Sequence, residues 1–568
     1  MPTLNWIGKE KVVSHHLEVP YRVLDRQYTF GDTPDSGNMI IHGDNLEALK
    51  ALLPEYENRI KCIYIDPPYN TGASPENGGW IYYDNVNDPH IRKWLGKIVG
   101  AESDDLSRHD KWLCMMYPRL VLLQRLLSED GVILISIDDN EQVNLKLICD
   151  EIFGPTNFIA TFIWRGGRRN LAKYVSSSHE YMLCFCKNLH EIATKNISWK
   201  EQKKGLKAIY KKVDECIEKS NGNYELASKL LKQWYRTLSD DDDSKANEHY
   251  NCIDEKGVYF PSDISRGGGG GPKWKVINPN TGHVVQTPSR GWSYAKYEDL
   301  IADINAGVVH FNGDGVPCKK RYLKENEGQV LETVFYRDRR GSSKRLRVLM
   351  QGDVFPFPKD EEILSHFFQI FTDKNSIILD SFAGSGTTAH AVLNLNKQDG
   401  GHRKFILCEM CDYAENITAE RVRRVMKGYG AGNNAVEGTG GSFDFYELGE
   451  TIFDPATGNL NDNADTEQIR RYLWFSETNA PYMVSEGDAM NRISTHPYYL
   501  GTHQHNNYYF YYIKGEETCL DWDFLNTFTE QDRAEMYIIY ADRCVLTEEE
   551  MLKLNIRFKK IPRDIKRV

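Results

Sequence analysis

No stretch of the 568-residue chain approaches the length of a membrane span. Met1 to Leu17 carries charges and histidines where a secretory leader would need an apolar core. A cytoplasmic protein with no membrane contact is therefore expected. Regular cysteine spacing is also missing: the twelve cysteines fit reduced thiols better than a disulfide framework. Cys408-Glu-Met-Cys411 has no second pair to complete a tetrahedral site, and Cys184-Phe-Cys186 has no partners, so no metal is expected. An excess of positive charge is lacking, since the net charge is -11. That limits nonspecific affinity for polyanions without excluding it, because phosphate binding depends on local potential. No helicase or nuclease motif appears, so strand cleavage would need a separate subunit.

What is there begins with an odd strand end. Ile60-Lys-Cys-Ile-Tyr-Ile65 reads as a buried strand and runs into Asp66-Pro67-Pro68-Tyr69-Asn70. Two consecutive prolines lack N–H groups and hold the preceding residues extended, so carbonyls project without joining a ladder. A carboxylate, a bare carbonyl and an aromatic ring thus share one strand end. That trio suits an aromatic amine, whose two hydrogens need acceptors and whose ring can stack.

Around it runs a βα rhythm. Asn38 to His42 is a short apolar strand ending in a Gly43-Asp44 turn, and Leu46 to Leu53 is helical in pattern. Trp112 to Leu127 reads as a helix, Val132 to Ile137 as a strand, and Asp138-Asp-Asn140 as the opening of a helix to Phe153. Phe158 to Trp164 and Glu180 to Cys186 read as two more strands, with the basic Arg165-Gly-Gly-Arg168-Arg169 turn between them. Such a rhythm favours an α/β fold with a mostly parallel sheet, in which Asp44 and Asp66 lie on the carboxyl edge where ligands bind. A Gly/Pro/Asn-rich loop to Gly79 and the run Trp80 to Asp84 could close over such a site.

The rhythm stops beyond Lys187. Charged helical sequence, the acidic run Asp240 to Asp243, and a flexible glycine string Gly267 to Gly271 follow; the string sits between Arg266 and Lys273-Trp-Lys275. Basic residues interleaved with aromatics suit a groove-tracking nucleic-acid surface. Candidate phosphate contacts are Arg165, Arg168, Arg169, Lys273, Arg337, Arg339 and Arg340.

The pattern resumes with a helix from Ile363 to Phe371 and the strand Ser376 to Asp380, directly followed by Ser381-Phe382-Ala383-Gly384-Ser385-Gly386-Thr387. Strand, glycine turn and helix start in succession aim backbone N–H groups at a ligand. Gly-x-Gly-x-x-Ala is met at Gly384, Gly386 and Ala389, and Glu409 follows the strand Phe405 to Cys408. A dinucleotide and S-adenosylmethionine would both use this loop, each holding a ribose on the carboxylate.

Asp66-Pro-Pro-Tyr69 placed before Phe382-Ala-Gly-Ser-Gly386 resembles the beta-class amino methyltransferases of DNA. The chain is more closely similar to the modification subunits of type III restriction–modification systems. Ile41 to Leu46, Lys61 to Gly72, Tyr82-Tyr-Asp84, Trp112 to Leu127, His179-Glu-Tyr181, Asp380 to Val392 and Ile561 to Ile565 carry the likeness. The resemblance implies a Rossmann-like methyltransferase core in permuted motif order, split by an inserted target-recognition domain. The expected segments are 1–189, holding the catalytic motif; 190–345, the insert; 346–450, holding the cofactor loop; and 451–568, an α+β docking or assembly domain.

The resemblance further implies S-adenosylmethionine as cofactor and N6 of a flipped adenine in double-stranded DNA as target. Asp66, Pro67, Pro68 and Tyr69 are implied to be catalytic, with Asp66 and the Pro67 carbonyl on the amine and Tyr69 stacked on the base. Asp380, Phe382, Ala383, Gly384, Gly386 and Thr387 would surround the cofactor, Glu409 its ribose, Asp44 its adenine and Lys359 its methionine end. A homodimer and a separate restriction subunit are the implied partners. Cytosine-N4 transfer, a nicotinamide-dependent oxidoreductase and an inactive DNA-binding scaffold are the alternatives.

Overall fold

The computed structural model of the protein describes residues 3–71, 96, 107–166, 174–175, 177–240, 242–338, 340–432, 435–454, 457–461, 463–480, 482 and 496–562. The loop from Gly72 to Gly79, the run Trp80 to Asp84, Arg168, Arg169 and Arg339 lie outside the described residues. The chain forms two compact units, Met1–Ile197 with Glu332–Val568, and Ser198–Leu331.

The first unit is an α/β structure on a ten-stranded sheet. Its strands are β1 (Arg22–Phe30), β2 (Met39–His42), β3 (Ile60–Ile65), β4 (Leu127–Ile137), β5 (Phe158–Arg165), β6 (His179–Cys186), β7 (Val334–Tyr336), β8 (Ile377–Asp380), β9 (Lys404–Glu409) and β10 (Phe443–Thr451). They lie in the order β1-β10-β2-β9-β8-β3-β4-β6-β5-β7. From β10 to β4 every neighbouring pair is parallel. The runs Ile60 to Ile65 and Lys404 to Glu409 are nearly continuous in apolar residues because parallel strands are covered on both faces. The principal helices are α1 (Asn45–Tyr56), α2 (Arg108–Leu126), α3 (Gln142–Phe153), α4 (Glu361–Phe371), α5 (Thr387–Asp399) and α6 (Glu420–Lys427). Trp112, Leu120 and Leu123 of α2 pack with Leu49 and Leu52 of α1 and with Ile63, Ile65 and Ile135 in one core.

Three expectations change. The insert was expected over 190–345, but Val334–Tyr336 pairs in parallel with Ile163 to Arg165 of β5, so the main sheet resumes earlier. Residues 451–568 do not separate as a unit of their own. Their sheet (Tyr499–His503, Asn506–Phe510, Met536–Ala541 and Ile556–Lys560) shares a core with Tyr21 and Val23 near the start of the chain. Asp138 does not open α3: it accepts from the Asn140 N–H in a turn, and the helix begins at Gln142.

The second unit holds helices Leu206–Lys219 and Tyr224–Thr237 and a four-stranded antiparallel sheet built on Gly257–Asp263 and Cys318–Tyr322. The end of the glycine string is held at Gly271, while Gly267 to Gly270 border open space. Gly271 N–H donates to the Arg290 carbonyl at 3.0 Å, and a Cβ on Gly291 would lie 2.1 Å from the Gly271 oxygen. Glycine is used here for close backbone approach.

Candidate active site

The two motifs that the sequence keeps far apart end on neighbouring strands. Ile378 and Leu379 of β8 pair in parallel with Cys62 and Ile63 of β3, so Asp66 and Asp380 emerge on the same carboxyl edge. On the other side of β8, Glu409 ends β9, and β2 beyond it ends at the Gly43-Asp44 turn, where Gly43 N–H donates to the Glu409 carbonyl at 2.9 Å.

At the β3 end the prolines divide their work. The Pro68 carbonyl accepts the indole N–H of Trp112, a fully buried residue of α2, at 2.7 Å. This bond ties the strand end to α2. Among the described residues no donor reaches the Pro67 carbonyl. Asn70 takes a left-handed conformation, φ 59°, which asparagine tolerates. Its amide donates to the Arg108 carbonyl at 3.1 Å and to Glu141 Oε1 at 2.5 Å, fixing the chain just beyond Tyr69.

Two further residues, Lys359 and Glu180, complete this end. The ammonium of Lys359, the residue expected at the cofactor's methionine end, lies 3.1 Å from Asp66 Oδ1, 2.9 Å from Glu180 Oε2 and 2.5 Å from the Tyr69 hydroxyl. The reason is local. Lys359 directly precedes Asp360, which caps α4 and is gripped by Arg337 at 3.1 Å and Arg345 at 3.0 Å, so the segment is pinned beside β3. Glu180, buried on β6, also accepts from the Tyr69 hydroxyl at 3.0 Å. Lys359 sits 4.8 Å above the Tyr69 ring and 5.9 Å from that of Trp164. Burial and the nearby Glu180 raise the Asp66 carboxyl above its ordinary value, against the pull of Lys359. Lys359 itself is held more basic than usual by Asp66 and Glu180 despite its burial. Burial, Asp66 and Glu180 push the Tyr69 hydroxyl well up, so it stays a neutral donor.

At the β8 end the charge is answered differently. Asp380 accepts from the Phe382 N–H at 3.0 Å and the Thr388 hydroxyl at 2.6 Å, both neutral donors. Burial pushes its carboxyl up to about 7. Glu409, also raised by burial, accepts from Gly384 N–H at 2.7 Å and Cys411 N–H at 3.1 Å, bracing the glycine turn. Gly384 and Gly386 have φ of 52° and 79°, and a Cβ would meet the Phe355 ring at 3.3 Å and the Thr418 carbonyl at 3.1 Å. Ala383 N–H is tied to the Cys408 carbonyl at 3.1 Å. The Thr387 hydroxyl, expected on the cofactor, accepts from the buried Arg421 at 2.8 Å, as does Ser385 Oγ. Asp44 caps α1 through the Leu46 and Glu47 N–H groups and lies 3.4 Å from Arg119.

Of the basic candidates, Arg337 is engaged by Asp360 and Glu362 and serves as an internal clamp. Arg340 is exposed and pairs with Asp338 at 2.7 Å. Arg165 and Lys273 are exposed, each in its own unit. Among the described residues no cluster suited to a metal ion occurs, and no helix is long and apolar enough to cross a membrane.

A family model described as DNA methylase matches residues 60–420, taking in both strand ends. The Mod subunit of the type III restriction-modification enzyme EcoP15I of Escherichia coli is 31% identical over 428 residues, covering 72% of this chain and 64% of that protein. The StyLTI Mod subunit of Salmonella typhimurium is 32% identical over 503 residues, covering 80% of this chain and 69% of that one. The chain therefore spans about two thirds of the length of these relatives. Among solved structures, the PvuII DNA methyltransferase (cytosine-N4-specific) covers 70% of this chain and 88% of its own, at 12% identity and a TM-score of 0.32. The match across both strand ends leaves the nicotinamide oxidoreductase reading without support. With Asp66-Pro-Pro-Tyr69 and the Gly384 loop on adjacent strands of one parallel sheet, the chain belongs to the DNA methylase family, among the Mod subunits of type III restriction-modification enzymes.

Proposed function

We propose that this chain transfers a methyl group from S-adenosylmethionine to N6 of an adenine flipped out of double-stranded DNA, at a sequence chosen largely by the unit Ser198–Leu331. The observation that carries the reading is the strand-end pairing: an amine-binding trio on β3 lies beside a glycine turn on β8.

The residues present fit the cofactor. Gly384 and Gly386 both have positive φ, which a side chain would strain, and without side chains their backbone allows close approach. The buried Ser381 hydroxyl has no hydrogen-bond partner among the described residues and so offers itself to a polar ligand. Asp380 and Glu409, buried without a facing cation in their hydrogen bonds, favour a positively charged guest. Glu409 keeps lone pairs for ribose hydroxyls, Asp44 borders the adenine end, and Phe382, Ala383 and Gly384 line the turn. When bound, S-adenosylmethionine supplies an electrophilic methyl group on a cationic sulfur.

The protein's own part is orientation. The exocyclic nitrogen is a poor nucleophile because its lone pair is delocalised into the purine. Asp66 and the Pro67 carbonyl accept its two hydrogens, which draws the nitrogen towards tetrahedral geometry as it forms the new N–C bond. The Tyr69 ring, held through its hydroxyl, stacks on the base. A stacked base cannot reach this edge, so flipping is required. Aspartate rather than serine at position 66 favours adenine over cytosine. Arg165, Lys273 and Arg340 are proposed to meet phosphates; Arg168, Arg169 and Arg339 complete that set outside the described residues. The chain would act in the cytoplasm as a homodimer, joined by a restriction subunit when cleavage is needed.

Long-read sequencing of DNA from a host expressing this chain tests the reading. N6-methyladenine in one recurrent sequence is expected; unmodified DNA, with folded protein present in the host, would overturn it.

A further inference from the structure

Lys359 is an obstacle as well as an aid. Its ammonium is bound to Asp66, the very acceptor that a target amine must claim. Releasing Asp66 would strand a buried cation unless another anion held it, and an unpaired buried charge is heavily penalised. Glu180 is that anion, already 2.9 Å from the ammonium and 3.0 Å from the Tyr69 hydroxyl.

We propose that Glu180 is a positioning residue of the methyl transfer: it retains Lys359 and the Tyr69 ring while Asp66 changes partner from the Lys359 ammonium to the amine of the flipped base. The inference rests on the methyltransferase reading and deepens it. The Lys359 backbone stays in place, anchored by the capped and doubly clamped Asp360, so the exchange is made by side-chain ends. Glu180 reaches the site because β6 runs antiparallel to β4, which brings the start of β6 to the edge where β3 ends.

The groups facing Asp66 are Lys359, Glu180 and Tyr69, with Tyr64 of β3 and Asp380 of β8 behind them. Their signs give opposite predictions for two variants. Glu180→Gln removes a like charge and leaves Lys359 to Asp66 alone, so Asp66 becomes more acidic but harder to free. Lys359→Met removes the counter-ion, so Asp66 becomes less acidic.

The test uses the full-length wild-type chain, Glu180→Gln and Lys359→Met, with tritiated S-adenosylmethionine and DNA carrying the sequence that the wild type modifies. Single-turnover rates are followed against pH, cofactor binding by equilibrium dialysis, and flipping by 2-aminopurine fluorescence at the target position. Glu180→Gln should bind the cofactor within about twofold of wild type yet lose roughly ten- to a hundredfold in rate and show a weaker flipping signal. The acid limb of its rate profile should move about one unit down, and that of Lys359→Met about one unit up. A wild-type rate in Glu180→Gln, or acid limbs moving in the same direction, overturns the inference alone. Should Glu180→Gln not fold, Glu180→Asp decides: a lowered rate with cofactor binding kept supports the exchange, and a wild-type rate overturns it. A wild type that never labels DNA defeats the methyltransferase reading itself, and the inference falls with it.

Discussion

The ends of β3 and β8 are neighbours with a carboxylate each, and they answer its charge in opposite ways. Asp66 faces the Lys359 ammonium, whereas Asp380 faces a hydroxyl and a backbone N–H. A carboxylate facing an ammonium that a second carboxylate, Glu180, also holds can exchange that cation for a neutral amine without a change in local charge. A carboxylate left uncompensated, and therefore pushed up to about 7, favours a cationic guest. The charge balance of each strand end thus fits one of the two substrates, a neutral base or a cationic methyl donor.

The largest expected effect breaks the β3 side only. Asp66→Ala should lower methyl transfer by more than about a hundredfold while cofactor binding stays measurable by equilibrium dialysis. An Asp66→Ala protein that methylates fully would remove β3 from the chemistry. Gly384→Ala is the matching break on the β8 side. Its Cβ would lie 3.3 Å from the Phe355 ring on a residue of positive φ, and strain of this kind costs about 1–3 kcal/mol. Cofactor affinity should fall roughly five- to a hundredfold, with DNA binding kept.

Asp380 sharpens the contrast through pH. Its folded value of about 7 exceeds the ordinary 3.8, so between those limits the folded protein holds more protons than the unfolded chain. Stability is lost as pH rises through that window. Asp380→Asn should flatten the loss, giving a higher Tm than wild type at pH 8 and little difference near pH 4. It should also weaken binding of the cationic cofactor. In the wild type the same binding should weaken as pH falls below about 7. The smallest effect concerns the scaffold: Trp112→Phe keeps the ring but loses the bond to the Pro68 carbonyl. A loss of about 1 kcal/mol in stability is expected, with a modest drop in rate and no change in cofactor affinity, measurable by denaturant unfolding.

Much of this was legible in sequence because it is local. Apolar runs marked β3, β8 and β9, and the residues ending them were at once the candidate ligands. The parallel order that joins them followed from the βα rhythm. Glu180 was not legible as a partner of Asp66, since the meeting depends on β6 reversing direction in the sheet. The signal was an acidic residue in the otherwise apolar strand His179–Cys186. Lys359 stood in a short motif whose position, but not direction, could be inferred. Arg337 looked like a phosphate contact because a row of basic residues does not display the carboxylates of α4 that engage it. The early return of the sheet at Val334 was hidden because three residues of strand carry almost no periodicity.

The sheet order also sets a timetable for synthesis. β1 borders only β10 in the sheet, β2 lies between β10 and β9, and β3 takes β8 as one neighbour. At roughly 5–20 residues per second, the first strands leave the ribosome some tens of seconds before those partners exist. The second unit, contiguous in sequence, can fold during that wait. Neither substrate can find its strand end paired with the other until Glu409 has been made, so a prematurely ended chain would expose apolar β-strands that invite aggregation.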